Sequence, residues 1–329
     1  GGAPLEFHEV AICRFAQGTI GMVNALADGD STEFKNLCEN FKAGLEQLPP
    51  GFPAPSTALL GATAWYRKVE GVELVKCEMF MSHFKVWFES ALAERGMDVK
   101  LVCCIVPPLL EANFEQQAVQ YAAEQNGLQS PIAIISAGNG SVQISGFDSL
   151  ASFDSPLKQG EAMVSANAVA LQEGHVDRTA GISKWKSSTE AEYDSCADLV
   201  SVAGLPAEYQ SRDEKVHVVL ISGCYHCALA AGIVQKKEAA KYVEAVEVLA
   251  ALRVLAAKTD VSAAKDVANS VRLSTVLEKL FGETLPNVAC CFARDWEVKG
   301  KPFRTTWTAG WFLDQLNAES SSVEMPKIC

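Results

Sequence analysis

A basic cluster, a long apolar span free of histidine and turn residues, and a second cysteine pair at metal-site spacing are all missing from this 329-residue chain. Lysine and arginine together number 28 against 40 aspartates and glutamates, which gives a net charge of −12. Nucleic acid is therefore not the expected partner, because nothing tracks a phosphate backbone. A phosphate ligand held by a metal and a few local groups stays open. The most apolar long run, Val216–Val234, contains His217, His226 and several small residues. It predicts a buried strand and turn leading into a helix, with no membrane span. No signal-peptide pattern stands at Gly1, and no internal repeat or low-complexity tract occurs.

Cysteine is abundant instead. There are eleven, an odd number that leaves at least one unpaired in a monomer. Cys103-Cys104 and Cys290-Cys291 are adjacent pairs inside apolar runs, where cysteine acts as a small hydrophobe. Cys224-Tyr225-His226-Cys227 is a lone CxxC with a histidine between, short of the four ligands of a zinc site. The one glycosylation sequon, Asn139-Gly140-Ser141, lies in a glycine turn. Mostly free thiols point to a reducing compartment, cytoplasmic or organellar rather than secreted.

A hydrophobic content of 49% is ample for a core, and the length suggests two domains. Apolar segments alternate between strand and helix patterns, so the expected class is α/β. Asp30-Ser31-Thr32-Glu33 is a helix start, and Phe34, Leu37, Phe41, Leu45 and Leu48 give that helix one apolar face. Strands are expected at Phe7–Phe15, Ser56–Ala62, Val99–Val106, Val216–Ile221 and Asn287–Arg294. Helices are expected over Val72–Met81 and Phe84–Leu92, as one helix or two, and over Leu109–Gln125, Ala239–Lys258, Ser262–Leu280 and Thr305–Leu316. The polar stretch Ser149–Gln210 reads as surface-wrapping connections.

Ile132–Gly146 is the most informative segment. An apolar run ends at Gly138-Asn139-Gly140, and the alternation Ser141-Val142-Gln143-Ile144-Ser145 returns from it. The pattern predicts a β-hairpin with a glycine-rich tip. Such a tip lets backbone N–H groups approach an anion, and Ser141 adds a hydroxyl. An ordinary hairpin has the same pattern.

Four stretches share an order with one family. Leu60-Gly61-Ala62-Thr63-Ala64-Trp65-Tyr66-Arg67 is similar to L-G-A-T-A-G-M-R. Glu111 to Tyr121 is similar to E-G-x-Y-x-W-x-x-V-N-Y. Ile135 to Ile144 is similar to L-D-L-G-G-A-S-T-Q-I. Leu220-Ile221-Ser222-Gly223-Cys224-Tyr225 and Thr306-Trp307-Thr308-Ala309-Gly310 resemble A-F-S-A-F-Y and S-W-T-L-G. Together they resemble the GDA1/CD39 family of nucleoside triphosphate diphosphohydrolases, the apyrases. The resemblance runs from Glu6 to about Leu316, with no motif in Ser149–Gln210.

That resemblance implies a two-lobed actin-like (ribonuclease H-like) ATPase fold with a central cleft. The lobes would be 1–128 with 306–329, and 129–305. It implies metal-dependent hydrolysis of nucleotide phosphates, with Mg²⁺ or Ca²⁺ as cofactor. Glu111 would be the base that deprotonates water, with Glu115 one turn on as the runner-up. Ser141 would position that water. Thr63, Arg67, Gly138, Asn139 and Gly140 would hold phosphate, and Gln143 and Ser136 would form the outer shell of the metal. Ser136 stands where the family has aspartate, and Asn139 replaces its second glycine. The family's first phosphate hairpin, D-x-G-S-S, does not occur; it is expected upstream of His8–Arg14, on a separate fragment, or not at all. These departures support a second reading: a catalytically inactive apyrase-fold protein with a binding or structural role.

Overall fold

The structure is a computed structural model that describes residues 25–46, 57–67, 70–128, 133–137, 141–146, 149–154, 215–235, 241–257, 264–298 and 300–317. Two compact units divide them, one ending at Pro107 and the other beginning at Pro108. The expected strand at Phe7–Phe15, and most of Ser149–Gln210, lie outside the described residues.

In the first unit Ser31 starts helix α1, Thr32–Leu45, by accepting a hydrogen bond from Phe34 N–H at 3.1 Å. That satisfies one of the donors a helix start leaves open. Phe34, Leu37 and Cys38 are buried on one face. The long apolar segment forms one continuous helix, Gly71–Ala93. With the four-residue helix Ala64–Arg67 taken as α2, this is α3. Its Cys77, Phe80, Met81, Phe84, Phe88 and Leu92 recur at helical spacing and are buried in the same cluster as the α1 face. Phe41 and Phe84 meet edge to face at 5.1 Å. Gly96, at φ 75°, turns the chain out of the helix. Strands β1, Thr57–Ala62, and β2, Lys100–Ile105, pair in parallel, so the connection between them has to cross over through helix.

The second unit is built on a six-stranded sheet in the order β5-β4-β3-β6-β8-β7. Strands β3 (Ala133–Ala137), β4 (Ser141–Gly146) and β5 (Ser149–Asp154) form an antiparallel meander. Strands β6 (Val216–Ser222) and β8 (Val288–Phe292) lie parallel to β3, and β7 (Tyr242–Glu244) is antiparallel at the edge. The central strands are apolar on both faces, as a sheet covered on both sides requires. Ile135, Val218, Leu220 and Cys290 share a core with Cys224 and Cys227 of α5 (Gly223–Ala230), Leu252 of α6 (Ala245–Ala256) and Leu277 of α7 (Ala264–Phe281). Side chains alternate across a strand, so Ser136 points to the other face. There it meets α4, Pro108–Gln125. This helix ends where Asn126-Gly127 predicted, with Gly127 at φ 62° and Leu128 N–H donating to Ala123 O at 3.0 Å. Helix α8, Trp307–Asn317, packs on α4.

Three local expectations change. The segment expected as one helix from Ala239 begins with strand β7, because β-branched and aromatic Tyr242 and Val243 pair with β8 before Ala245 opens the helix. Ser149–Asp154 is a strand and not a connection, completing the meander despite its polar sequence. A hairpin of β9 (Asp295–Val298) and β10 (Lys301–Arg304), unread in the sequence, buries Trp296 and Phe303 around Gly300 at φ 77°. The second unit runs from Pro108 to Ser321. It puts α4 and α8 with the sheet, where Glu115 reaches Ser136 and Tyr121 lies 5.3 Å from Phe303, ring to ring. Among the described residues no helix is long and apolar enough to cross a membrane.

Candidate active site

The apolar surroundings of β3 and β6 hold one cluster of polar side chains, at the C-terminal ends of both strands. Glu111 and Glu115 lie four residues apart on α4 and so share a face. Both are buried, at 6% and 5% exposure. Ser136 Oγ donates to Glu115 Oε1 at 2.9 Å, and lies 3.0 Å from Ser222 Oγ. A serine has one hydroxyl proton. When Ser136 spends it on Glu115, Ser222 is the donor to Ser136. The three groups then form a directed chain from Ser222 through Ser136 to Glu115. Gln143 stands opposite Ser136 in the β3–β4 ladder and is buried too.

Glu115 does not ionise at the usual carboxyl value. Burial first, and the negative charge of Glu111 second, push its pKa up to about 8, against the opposing bond from Ser136. At neutral pH it is mostly protonated. Its second oxygen, Oε2, is buried without a hydrogen-bond partner.

Ser222 ends β6 and caps the start of α5, with φ 60° and ψ −124°. Among the described residues it is the non-glycine residue with positive φ. These angles mirror the first central position of a type II turn, ground that glycine normally holds. Its side chain makes no cap bond to α5, and the residue is exposed.

The residues expected to serve the site fall into three sets. Glu111, Glu115, Ser136 and Gln143 come together. Ser141 opens β4 at the hairpin, but Gly138, Asn139 and Gly140 lie outside the described residues. Thr63 and Arg67 belong to the first unit. There the Thr63 carbonyl accepts from Tyr66 and Arg67 N–H in the turn that opens α2, and Arg67 Nη1 donates to Val106 O at 2.7 Å. Ser222 was quoted in a motif but given no role. Its backbone conformation is the signal, and Ile-Ser-Gly-Cys does not encode it visibly.

The cluster offers only oxygen donors: two carboxyls, an amide and hydroxyls. That set suits a hard divalent cation that brings its own waters and a substrate phosphate, as Mg²⁺ does. Among the described residues no group of three or more histidine, cysteine, aspartate or glutamate side chains can hold a metal. Cys224 and Cys227 are buried in the apolar core while His226 is exposed.

No protein-family model matches the chain, and no curated protein does. Among solved structures it is similar to an exopolyphosphatase-like protein, over 90% of this chain and 89% of that one, at 14% identity and a TM-score of 0.48. It is similar to an exopolyphosphatase from Cytophaga hutchinsonii over 92% and 86%, at 12% identity and a TM-score of 0.44. A Ppx/GppA phosphatase from Aquifex aeolicus matches over 78% and 74%, at 10% identity and a TM-score of 0.40. The chemistry of the site rests on its own residues.

Proposed function

We propose that this chain is a phosphohydrolase of the actin-like ATPase type that cleaves terminal phosphoanhydride bonds in the manner of an apyrase. The bond between Glu115 and Ser136 carries the reading. It joins the two stretches the resemblance makes catalytic, the acid-bearing helix and the strand leading into the glycine hairpin, in one buried cluster. A sheet that begins with an antiparallel hairpin and continues in parallel strands suits the two-lobed, ribonuclease H-like fold.

In this reading the backbone N–H groups of the Gly138–Gly140 turn hold phosphate oxygens, and Ser141 orients the attacking water. Glu111 takes its proton. Glu115, neutral at pH 7, keeps Ser136 in place. Glu111, Gln143 and Ser136 would hold a hydrated Mg²⁺, which when bound supplies charge neutralisation on the phosphate oxygens. Thr63 and Arg67 are assigned to phosphate by resemblance.

One observation favours the inactive, ligand-binding reading. Ser136 stands in place of an aspartate, and its hydroxyl is already engaged by Glu115 and Ser222. It brings no negative charge to a cation. Phosphate release from ATP, ADP and polyphosphate with Mg²⁺ separates the two. Polyphosphate, named in two of the similar structures, presents the same bond. Turnover that disappears in Glu111→Gln supports hydrolysis with Glu111 as base. Turnover that survives there and disappears in Glu115→Gln moves the base one turn along α4. Nucleotide binding without phosphate release supports the inactive reading.

A further inference from the structure

We infer that α3 pairs with α3 of a second copy of this chain, antiparallel across a two-fold axis, and that the protein is a homodimer through this face. One face of α3 builds the core it shares with α1, where Cys77, Phe80, Phe84 and Leu92 are buried. The opposite face is apolar as well. There Val72, Val75, Met79 and Val86 are exposed, from 45% at Met79 to 73% at Val72. Single exposed apolar residues are ordinary on a protein surface. These four are not scattered. Val72, Met79, Val86 and Ala93 follow one another at intervals of seven, with Val75 between the first two. That is the spacing of a heptad seam, by which one helix seats its side chains between those of another. A strict seven-residue repeat winds two helices around each other at a shallow crossing angle. The helix has 23 residues and is about 34 Å long, and the seam runs its whole length.

The register selects a second copy as the occupant. In a two-fold pair one surface meets itself, and each contact occurs twice. Set antiparallel about the middle of the helix, between Ser82 and His83, the seam puts Val72 opposite the second copy's Ala93, Val75 opposite its Ser90 and Met79 opposite its Val86. The residue numbers of each pair add to the same total, so a single register serves all three. Large side chains meet small ones toward both ends, so the facing layers interlock. Ser90 costs little to cover, because its hydroxyl already donates to Val86 O at 2.8 Å. Glu89 is turned toward β2, where it accepts from Leu101 N–H at 2.9 Å.

Charge fixes the direction. Glu78 and Lys85 each precede a seam residue and lie on the same flank of the helix. In the antiparallel register Glu78 stands about 3 Å along the axis from the second copy's Lys85, within reach of a lysine stem. Symmetry repeats the pair. A parallel pairing would set Glu78 against His83, Lys85 against Ser90 and valine against valine. The same flanks disfavour a lipid surface. Helices that lie on membranes carry lysine and arginine along their polar side. Here Glu73 and Glu78 are interspersed with Lys76 and Lys85, in a chain of net charge −12.

The test is sedimentation equilibrium of the full chain over a concentration series, at physiological salt so that the net negative charge is screened. The wild type should show a reversible monomer–dimer equilibrium. Met79→Lys puts a charge into the centre of the seam in both copies and should weaken the dimer at least about 100-fold. Met79 is exposed in the single chain, so the fold is kept. Thermal unfolding should then match the wild type at concentrations where both are monomeric. Glu78→Lys alone, or Lys85→Glu alone, brings like charges together twice and should weaken the dimer about 10-fold. The two substitutions in one chain should restore the opposite pairs and the wild-type affinity. Mixing the two single variants should give a heterodimer tighter than either homodimer. A wild-type chain that stays monomeric, a dimer untouched by Met79→Lys, or charge reversals that do not compensate overturns the inference. Flotation of a monomeric chain with phosphatidylcholine vesicles also overturns it and gives the face to lipid. Phosphate release plays no part in these measurements, so the phosphohydrolase reading stands or fails separately.

Discussion

Gly310 of α8 lies directly on the backbone of Phe114 of α4. A Cβ at Gly310 would be 1.6 Å from the Phe114 carbonyl oxygen and 2.3 Å from its carbon. Backbone cannot move aside as a flexible side chain can, so the helices would have to separate. Phe114 is buried, and the small residues Ala118 and Ala122 continue the buried run of the same helix. Gly310→Ala should therefore destabilise the second unit by about 3 kcal/mol or more, the upper range for overpacking. A large drop in the urea midpoint checks this; a change within experimental error would mean that α8 stands further from α4.

The thiols make a second prediction. All eight described cysteines are free and buried. Burial is the leading cause that pushes the Cys38, Cys77 and Cys104 thiols up to about 11 and Cys291 to about 12, and it raises Cys227 and Cys290 further. The thiolate is the reactive form, so these groups should react negligibly with a thiol reagent in the native protein at pH 8. Denaturation without reductant should expose at least eight. Finding only one or two after denaturation would reveal disulfides and an oxidising compartment.

Arg67 was expected to serve phosphate, yet one of its nitrogens holds the carbonyl of fully buried Val106 at 2.7 Å. Arg67→Met keeps the aliphatic stem and removes the donor. Loss of a charged partner from a buried carbonyl costs about 1–3 kcal/mol. A fall in thermal stability with unchanged turnover per folded molecule would make Arg67 structural. Unchanged stability with a raised KM for nucleotide would return it to phosphate.

Much of this layout was legible because strong local signals agreed. Ser31 capping Phe34, the apolar stripe from Cys77 to Leu92, and the glycine stops at 96, 127 and 282 each follow from chemistry within a few residues. Strands β5, β7 and β9 were missed because they are short or polar and owe their existence to a neighbouring strand. The site was half legible. Spacing put Glu111 and Glu115 on one face, and the turn signal put Ser136 and Gln143 on the two strands of one hairpin. Which carboxyl meets Ser136 depends on where α4 lies against the sheet, and the φ of Ser222 depends on how β6 enters α5. Neither is a property of a local string.

Glu115 gives the prediction with the clearest sign. Its carboxyl is held near pKa 8 in the fold, against about 4.5 when unburied. Between those values the folded chain binds more protons at this site than the unfolded one. Its contribution is therefore fully present below about pH 4.5 and is lost as pH rises through about 8, by at most about 1.4 kcal/mol per pH unit. This is opposite to the usual salt-bridged carboxylate. Urea denaturation at intervals from pH 5 to pH 8.5 should show the wild type losing stability relative to Glu115→Gln, which cannot ionise and keeps a polar group against Ser136. Glu111→Gln removes the second cause of the raised pKa, so in that variant the loss should stop at a lower pH. A constant difference between wild type and Glu115→Gln across the range would mean that Glu115 ionises as an ordinary exposed carboxyl, and that the carboxyl beside Ser136 is hydrated and not enclosed.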